Sequence, residues 1–208
     1  MGEAAAWMGG KLVHAKVIDK INSKIEKGAL TTVHGLIVHQ TGGATAESAL
    51  QSYETGQNGA HFLIDKSGGI FQTARIDQKC WHVGNIRSRC QEMKSCTAEE
   101  LKVIDALLFK KGESYVARIK ALSRHEAAKA YPDRYPTNDD SLGIEIVGSF
   151  DAKGKTYDTV NKAQNDALRW LLDALEAKLS LDEDDIYKHG AIGYKQPSEG
   201  ASAQWKTP

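Results

Sequence analysis

The stretch Val33–Gly43, VHGLIVHQTGG, decides the fold. Its apolar centre, Leu36–Val38, predicts a short buried strand that ends in the polar residue His39. Two consecutive glycines then end the strand, because glycine pairs mark turns. Helical character resumes over 46–53, so a strand is followed at once by a helix.

The rest of the chain repeats this alternation of short apolar runs and amphipathic segments. A polar Asp-Lys-Ser-Gly turn at 65–68 separates two short apolar runs and indicates a hairpin. Alternating strands and helices are typical of an α/β protein, so we expect a single layered domain with a central mixed β-sheet flanked by helices. The other predicted elements are a helix over 12–27, hairpin strands at 61–64 and 69–72, a helix from a capping box at 97–100 through 108, a strand over 142–147 and a helix over 160–179.

The length of 208 residues suits one domain with a substantial core. We expect a helical extension over 1–29 and a catalytic domain over 30–208. Residues 112–140 read as an insertion, which is polar and contains Pro132 and Pro136. So long a segment is usually a functional loop or carries a short helix of its own. A cationic lid over a peptide substrate and a docking surface for a partner both suit its composition.

The composition excludes several classes of protein. Basic and acidic residues balance at 27 each, so nothing indicates a nucleic-acid partner, and no apolar run is long enough for insertion into a membrane. The first ten residues lack the basic start and long apolar stretch of a signal peptide. Three cysteines are too few for a disulfide framework; Cys90 and Cys96 either close a small loop or stay reduced.

Three polar residues stand where a core strand or its end would place them. His39 ends the first strand, Glu145 lies inside the apolar run 142–147, and His189 follows a short run at 186–188. A carboxylate in an apolar strand is costly to ionise unless it has a partner or faces a cleft. Two imidazoles, a third ligand and a nearby carboxylate form a catalytic zinc site with one open position. Each residue alone is equally compatible with a structural or surface role.

Five sequence blocks, in order, resemble the zinc N-acetylmuramoyl-L-alanine amidases of the Amidase-2 family, relatives of peptidoglycan recognition proteins and amidase-type phage lysozymes. Together they span about residues 30–205. The blocks are LIVHQTG at 36–42, AHFLIDKSGGIFQ at 60–72, WHVG at 81–84, SLGIEIVG at 141–148 and KHGAIGYK at 188–195.

The resemblance implies a Zn²⁺ cofactor, with His39 and His189 as two ligands. It also implies Glu145 as the catalytic base and Lys195 as the group that stabilises the oxyanion. The family's third ligand usually stands two residues after that lysine, where this chain has Pro197. Counted from His189, Glu199 falls at the corresponding place; Ser198 and a water molecule are the alternatives.

The resemblance places His61, Trp81 and His82 beside the substrate groove. His61 suits a hydrogen-bonded strand position equally well, and Trp81 either stacks on a sugar or packs. The activity implied is hydrolysis of the bond between the lactyl group and L-alanine in bacterial peptidoglycan. The alternatives are a recognition module that binds peptidoglycan without zinc, and an endopeptidase that cuts within the stem peptide.

Peptidoglycan lies outside the cytoplasmic membrane, so we expect action in the periplasm or cell wall. Without a visible signal peptide, the expected routes are a contact-dependent secretion machine, as for an injected type VI effector, or a phage holin. An injected toxin would require a cognate immunity protein that blocks the groove. A cytosolic enzyme acting on released muropeptides is the remaining possibility.

Overall fold

The computed structural model describes residues 5–205, which form a central sheet with helices against both faces. The strands are β1 (Ala6–Met8), β2 (Lys11–Val13), β3 (Val17–Asp19), β4 (Gly35–Gly42), β5 (Phe62–Ile64), β6 (Ile70–Gln72), β7 (Ser141–Asp151), β8 (Thr156–Tyr157) and β9 (Ile186–Lys188). The helices are α1 (Ala46–Thr55), α2 (Arg89–Glu92), α3 (Ala98–Leu108), α4 (Tyr115–Ala127), α5 (Lys162–Leu179) and α6 (His189–Ile192), with a 3-10 turn at Glu183–Asp185.

The central sheet has seven strands and is mixed. Its order is β3-β6-β5-β7-β4-β9, with β8 paired to the end of β7. Strands β5, β7, β4 and β9 run parallel, whereas β5 and β6 form the antiparallel hairpin that the turn at 65–68 predicted. The predicted α/β architecture is therefore confirmed.

The two central strands, β4 and β7, send alternate residues to opposite faces of the sheet. On one face Leu36, Val38, Leu142 and Ile144 are fully buried in the main core. Four leucines of α5, at 168, 171, 172 and 175, close that core at helical spacing. Burial of each such side chain contributes about 1.5–3 kcal/mol, so this face anchors the domain.

The predicted helix over 12–27 is wrong. The chain forms the β1–β2 hairpin there, and β3 then pairs in parallel with β6 at the edge of the central sheet. The segment is rich in Val and Ile, which favour strands, and its apolar pattern is satisfied by an available sheet edge. Asx-type hydrogen bonds from Ile21 N to Asp19 and from Lys24 N to Asn22 then turn the backbone, which opposes a helix. The outer ends of the two expected domains, residues 1–4 and 206–208, lie outside the described residues.

The segment 112–140 carries the helix α4, which packs against α3 as a helical hairpin. A disulfide joins Cys90 to Cys96 just before α3, while Cys80 is buried and free. Among the described residues, no helix combines the length and hydrophobicity required to cross a bilayer.

Candidate active site and metal centre

Three neighbouring parallel strands bring the predicted site residues together. His39 on β4 stands opposite Glu145 on β7, and Val38 stands opposite Lys188 of β9. His189 follows directly as the first residue of α6, so it lies beside His39, with ring centroids 4.1 Å apart. The in-register pairing of β4 with two neighbours therefore builds the site at the sheet face opposite α5.

Glu199 reaches the two histidines from the loop after α6. Glu199 Oε1 lies 2.7 Å from His189 Nδ1 and 3.4 Å from His39 Nδ1. The loop closes this tightly because residue 190 is glycine: a Cβ there would lie 2.6 Å from the Gln196 carbonyl oxygen. Ser198 instead donates to the carbonyl of Lys155, so the structure brings Glu199 and not Ser198 to the site.

The donor set of His39, His189 and Glu199 fits zinc. One ligand atom of each residue lies within 4.8 Å of the others, and all three side chains are buried. The outer nitrogens have partners of their own: His189 Nε2 lies 2.6 Å from the Val83 carbonyl and His39 Nε2 lies 3.0 Å from His82 Nδ1. Two imidazoles whose outer nitrogens are hydrogen-bonded, together with one carboxylate, are typical of a catalytic zinc site.

The protonation states also suit a cation. Burial, followed by the charge of His189, lowers the pKa of His39 to about 4, although Glu199 opposes the change. Burial alone would raise the pKa of Glu199, but hydrogen bonds and charges from His189 and His39 outweigh it and lower that pKa to about 2. At neutral pH the imidazole of His39 is neutral and the carboxylate is ionised, as metal ligands must be.

Glu145 and Lys195 face the same cleft, which has a volume of about 530 Å³. Burial first, and then the charge of Glu199, raise the pKa of Glu145 to about 8, while Lys195 opposes the rise. Its Oε2 atom is buried without a hydrogen-bond partner among the described residues. A half-buried carboxylate with an open acceptor oxygen at the edge of a cleft is suited, once ionised, to take a proton from a bound molecule.

The three residues expected beside the groove have different positions. Trp81 is 47% exposed at the cleft, with Lys27 Nζ 5.0 Å from its ring centroid, and His82 also lines the cleft. His61 is fully buried: its Nδ1 accepts from the Gly143 amide and its Nε2 donates to the Gln78 carbonyl. The structure thus places His61 directly before β5, in the hydrogen-bonded role that its sequence context also allowed.

Sequence reasoning missed several cleft residues, among them Tyr53 on α1 and Asn138 at the end of the insertion. Tyr53 is 6% exposed and its hydroxyl has no hydrogen-bond partner among the described residues. Burial and the charge of Glu145 raise its pKa well above the ordinary value, so the hydroxyl stays protonated and can donate. The sequence carries no signal for Tyr53, because a tyrosine on an amphipathic helix is ordinarily a core residue. Identifying it requires knowing that α1 packs beside the cleft.

Comparisons with known proteins agree with this fold. The family model described as N-acetylmuramoyl-L-alanine amidase, Amidase-2, matches residues 29–203. The solved structure of a selenomethionine derivative of AmpD superimposes with a TM-score of 0.58 at 18% identity, covering 96% of this chain and 95% of that chain, which shows a shared fold. No curated protein matches the chain.

Two more distant structures are also similar. A mutant endolysin from Bacillus subtilis has a TM-score of 0.46 at 17% identity, with 83% of this chain and 82% of that chain covered. The drosophila peptidoglycan recognition protein SD has a TM-score of 0.47 at 16% identity, with 86% and 83% covered. Because the family model spans most of the sequence, the chain belongs to the N-acetylmuramoyl-L-alanine amidase family.

Proposed function

We propose that the protein is a zinc-dependent N-acetylmuramoyl-L-alanine amidase that hydrolyses the lactyl–L-alanine amide bond of peptidoglycan. Family membership supports amidase activity on peptidoglycan. The observation that carries the zinc dependence is the buried group His39–His189–Glu199 beside the unpartnered carboxylate of Glu145 in one cleft.

The chain's own residues supply the rest of the reaction. When bound, zinc polarises the scissile carbonyl and lowers the pKa of the attacking water. Glu145 accepts the proton of that water in its ionised form, which the positive charges of Lys195 and of bound zinc would favour. Once ionised, a carboxylate whose pKa burial raises is a stronger base than an exposed one. The acid so formed then gives the proton to the amine of L-alanine as the amide bond breaks.

Lys195 provides positive charge where negative charge develops. It lines the cleft and interacts electrostatically with both Glu145 and His39. A cation aimed at the oxyanion of the tetrahedral intermediate is typically worth about 3 kcal/mol of the barrier. Trp81, exposed at the cleft, offers a flat apolar surface on which a sugar ring can stack, and His82 lies beside it.

Two alternatives use the same cleft. A recognition module would bind peptidoglycan without zinc, but it would have no use for the base Glu145 and the cation Lys195 beside the histidines. An endopeptidase would keep the zinc and cut between amino acids of the stem.

Mass spectrometry of purified peptidoglycan digested by the wild-type protein separates the three functions. An amidase releases intact stem peptides with a free L-alanine amine and leaves glycan strands with free lactyl groups. Truncated stems would instead identify an endopeptidase, and binding with unchanged peptidoglycan would identify a recognition module.

The Cys90–Cys96 disulfide supports action outside the cytosol, because disulfides persist in oxidising compartments. We place the enzyme in the periplasm or cell wall, delivered as an injected antibacterial effector or, less favoured, as a phage endolysin. An effector requires an immunity protein that occupies the groove. Expression of the chain in a Gram-negative host with and without an export signal tests the location: lysis should need export, and lysis by the cytosolic form alone would contradict it.

A further inference from the structure

One two-residue segment, His82–Val83, contacts the Nε2 atoms of both histidines among the candidate zinc ligands. We propose that this segment is a clamp that fixes both histidines for the metal, and that Asn138 is the positioning residue that fixes the clamp. The proposal rests on the zinc site proposed above and concerns residues outside the ligand set.

Val83 determines which ring nitrogen of His189 carries a hydrogen. The Val83 carbonyl can only accept, so the ring nitrogen 2.6 Å away, His189 Nε2, must carry the hydrogen. That leaves His189 Nδ1, the ring nitrogen that faces Glu199, as the nitrogen available to a metal ion.

His82 places a hydrogen on Nε2 of His39 through a chain of three hydrogen bonds. Ser141 Oγ donates to the Thr137 carbonyl at 2.5 Å, so it accepts from His82 Nε2 at 3.4 Å. His82 Nδ1 is then an acceptor, and His39 Nε2 donates to it at 3.0 Å. His39 Nδ1, which also faces Glu199, is thus the nitrogen available to a metal ion. In both histidines, hydrogen bonds that lead to backbone carbonyls occupy Nε2 and leave Nδ1 on the side of the proposed metal.

Gly143 of β7 leaves room for the imidazole ring of His82 against the sheet. A Cβ at that position would lie 2.8 Å from two ring atoms of His82, so any larger residue would displace the imidazole. The close packing of the ring against bare backbone fixes its plane as well as its tautomer.

Asn138 binds the backbone of the clamp segment. Its Oδ1 accepts from the backbone amides of His82 and Val83, both at 2.9 Å, and because both partners are donors the atom must be the carboxamide oxygen. Asn138 belongs to the same turn as Thr137, the last acceptor of the histidine chain. One turn therefore fixes the main chain of the clamp and the end of its hydrogen-bond chain.

That turn is itself fastened by a buried carboxylate. Asp140 accepts from the amide of Thr137 at 2.7 Å and pairs with Arg134 at 2.9 Å and with His34 at 3.0 Å. The position of Asn138 is thus determined before any metal binds. Groups behind a zinc ligand commonly change metal affinity by about 10–100-fold, and Asn138 acts on both ligands at once.

The test is the zinc dissociation constant of the full chain, measured by competition with a chromophoric chelator. Asn138→Ala should weaken zinc binding by about tenfold or more, because the clamp segment is released. Asn138→Asp keeps an oxygen acceptor and should recover most of that loss. Asn22→Ala is the matched control: the Asn22 side chain also accepts from a backbone amide, that of Lys24, but Asn22 does not line the cleft, so zinc affinity should stay unchanged.

Ser141→Ala provides a second variant, because it removes only the hydroxyl that orients His82. It should weaken zinc binding less than Asn138→Ala, and it decides the matter if Asn138→Ala does not fold. Wild-type affinity in both variants would overturn the clamp and leave the zinc enzyme standing. A wild-type protein that binds no zinc would overturn the proposed function and the clamp together.

Discussion

Two clusters in this molecule contain the same kinds of residue, and they have different surroundings. The first is His39, His189 and Glu199 at the cleft; the second is Glu100, His125 and Glu126 between α3 and α4. In each, three potential ligand atoms lie within 4.8 Å of one another. Residue type and proximity therefore do not distinguish them.

The difference lies in what neutralises the carboxylates. In the helical cluster, Lys129 pairs with Glu100 and lies 2.9 Å from Glu126, which is fully buried. In the cleft cluster no lysine or arginine among the described residues forms an ion pair with Glu199; its partners are the two imidazoles. The carboxylates of the helical cluster are paired with Lys129, which indicates a structural ion-pair network. Within residues 5–205, the cleft cluster has no such side-chain cation, which indicates a metal site.

The largest expected effect separates chemistry from metal binding within the cleft. Glu145→Gln should lower amidase activity by about 10²–10⁴-fold, because the amide cannot accept a proton. Zinc content, measured by mass spectrometry, should stay at the wild-type value since Glu145 is not a ligand. The matched control Glu100→Gln, in the other cluster, should change neither. Full activity in Glu145→Gln would remove its assignment as the base.

A second variant tests the helical cluster. Lys129→Met should lower the free energy of unfolding by about 3–5 kcal/mol, because it leaves the buried Glu126 carboxylate uncompensated. Lys110→Met, which breaks an exposed pair with Glu113, should cost about 0–1 kcal/mol. Urea unfolding measures both. Equal effects would mean that Lys129 is not the structural cation of its cluster.

The third and smallest expected effect is the acid sensitivity of the zinc-free protein. Burial lowers the pKa values of His39 and His61 to about 4, whereas unfolded histidines titrate near 6.5. Between these pH values the unfolded chain binds more protons, so stability present above pH 6.5 is lost as the pH falls toward 4. The two histidines account for at most about 7 kcal/mol, at about 1.4 kcal/mol for each pH unit and histidine. Burial raises the pKa of Glu145 to about 8, so over most of this range the folded zinc-free protein holds a proton that the unfolded chain lacks. This offsets part of the loss and leaves a few kcal/mol.

Chemical unfolding of the chelated protein at a series of pH values measures this slope. Saturating zinc should delay the loss, because the bound ion keeps His39 unprotonated. A zinc-free protein that is equally stable at pH 4 and pH 7 would show that the buried histidines are not held neutral.

The sequence alone predicted much of the sheet, and it named candidate residues that the structure brings to one face. An apolar run interrupted by one carboxylate singled out Glu145, and the resemblance to the amidase family, counted from His189, singled out Glu199 although Pro197 stands in the usual place. The roles of both residues stay predictions. What the sequence could not predict depends on long-range contacts. The strand at Val17–Asp19 needs the edge of β6, and the role of Asn138 needs a turn that meets residues 82 and 83.

The metal content of purified wild-type protein and of Glu199→Ala decides whether the cleft is a zinc site completed by Glu199. We expect about one zinc per wild-type chain, and loss of both zinc and amidase activity in the variant, because two imidazoles alone form an incomplete zinc site. Full zinc content and activity in Glu199→Ala would contradict it and place the third ligand elsewhere.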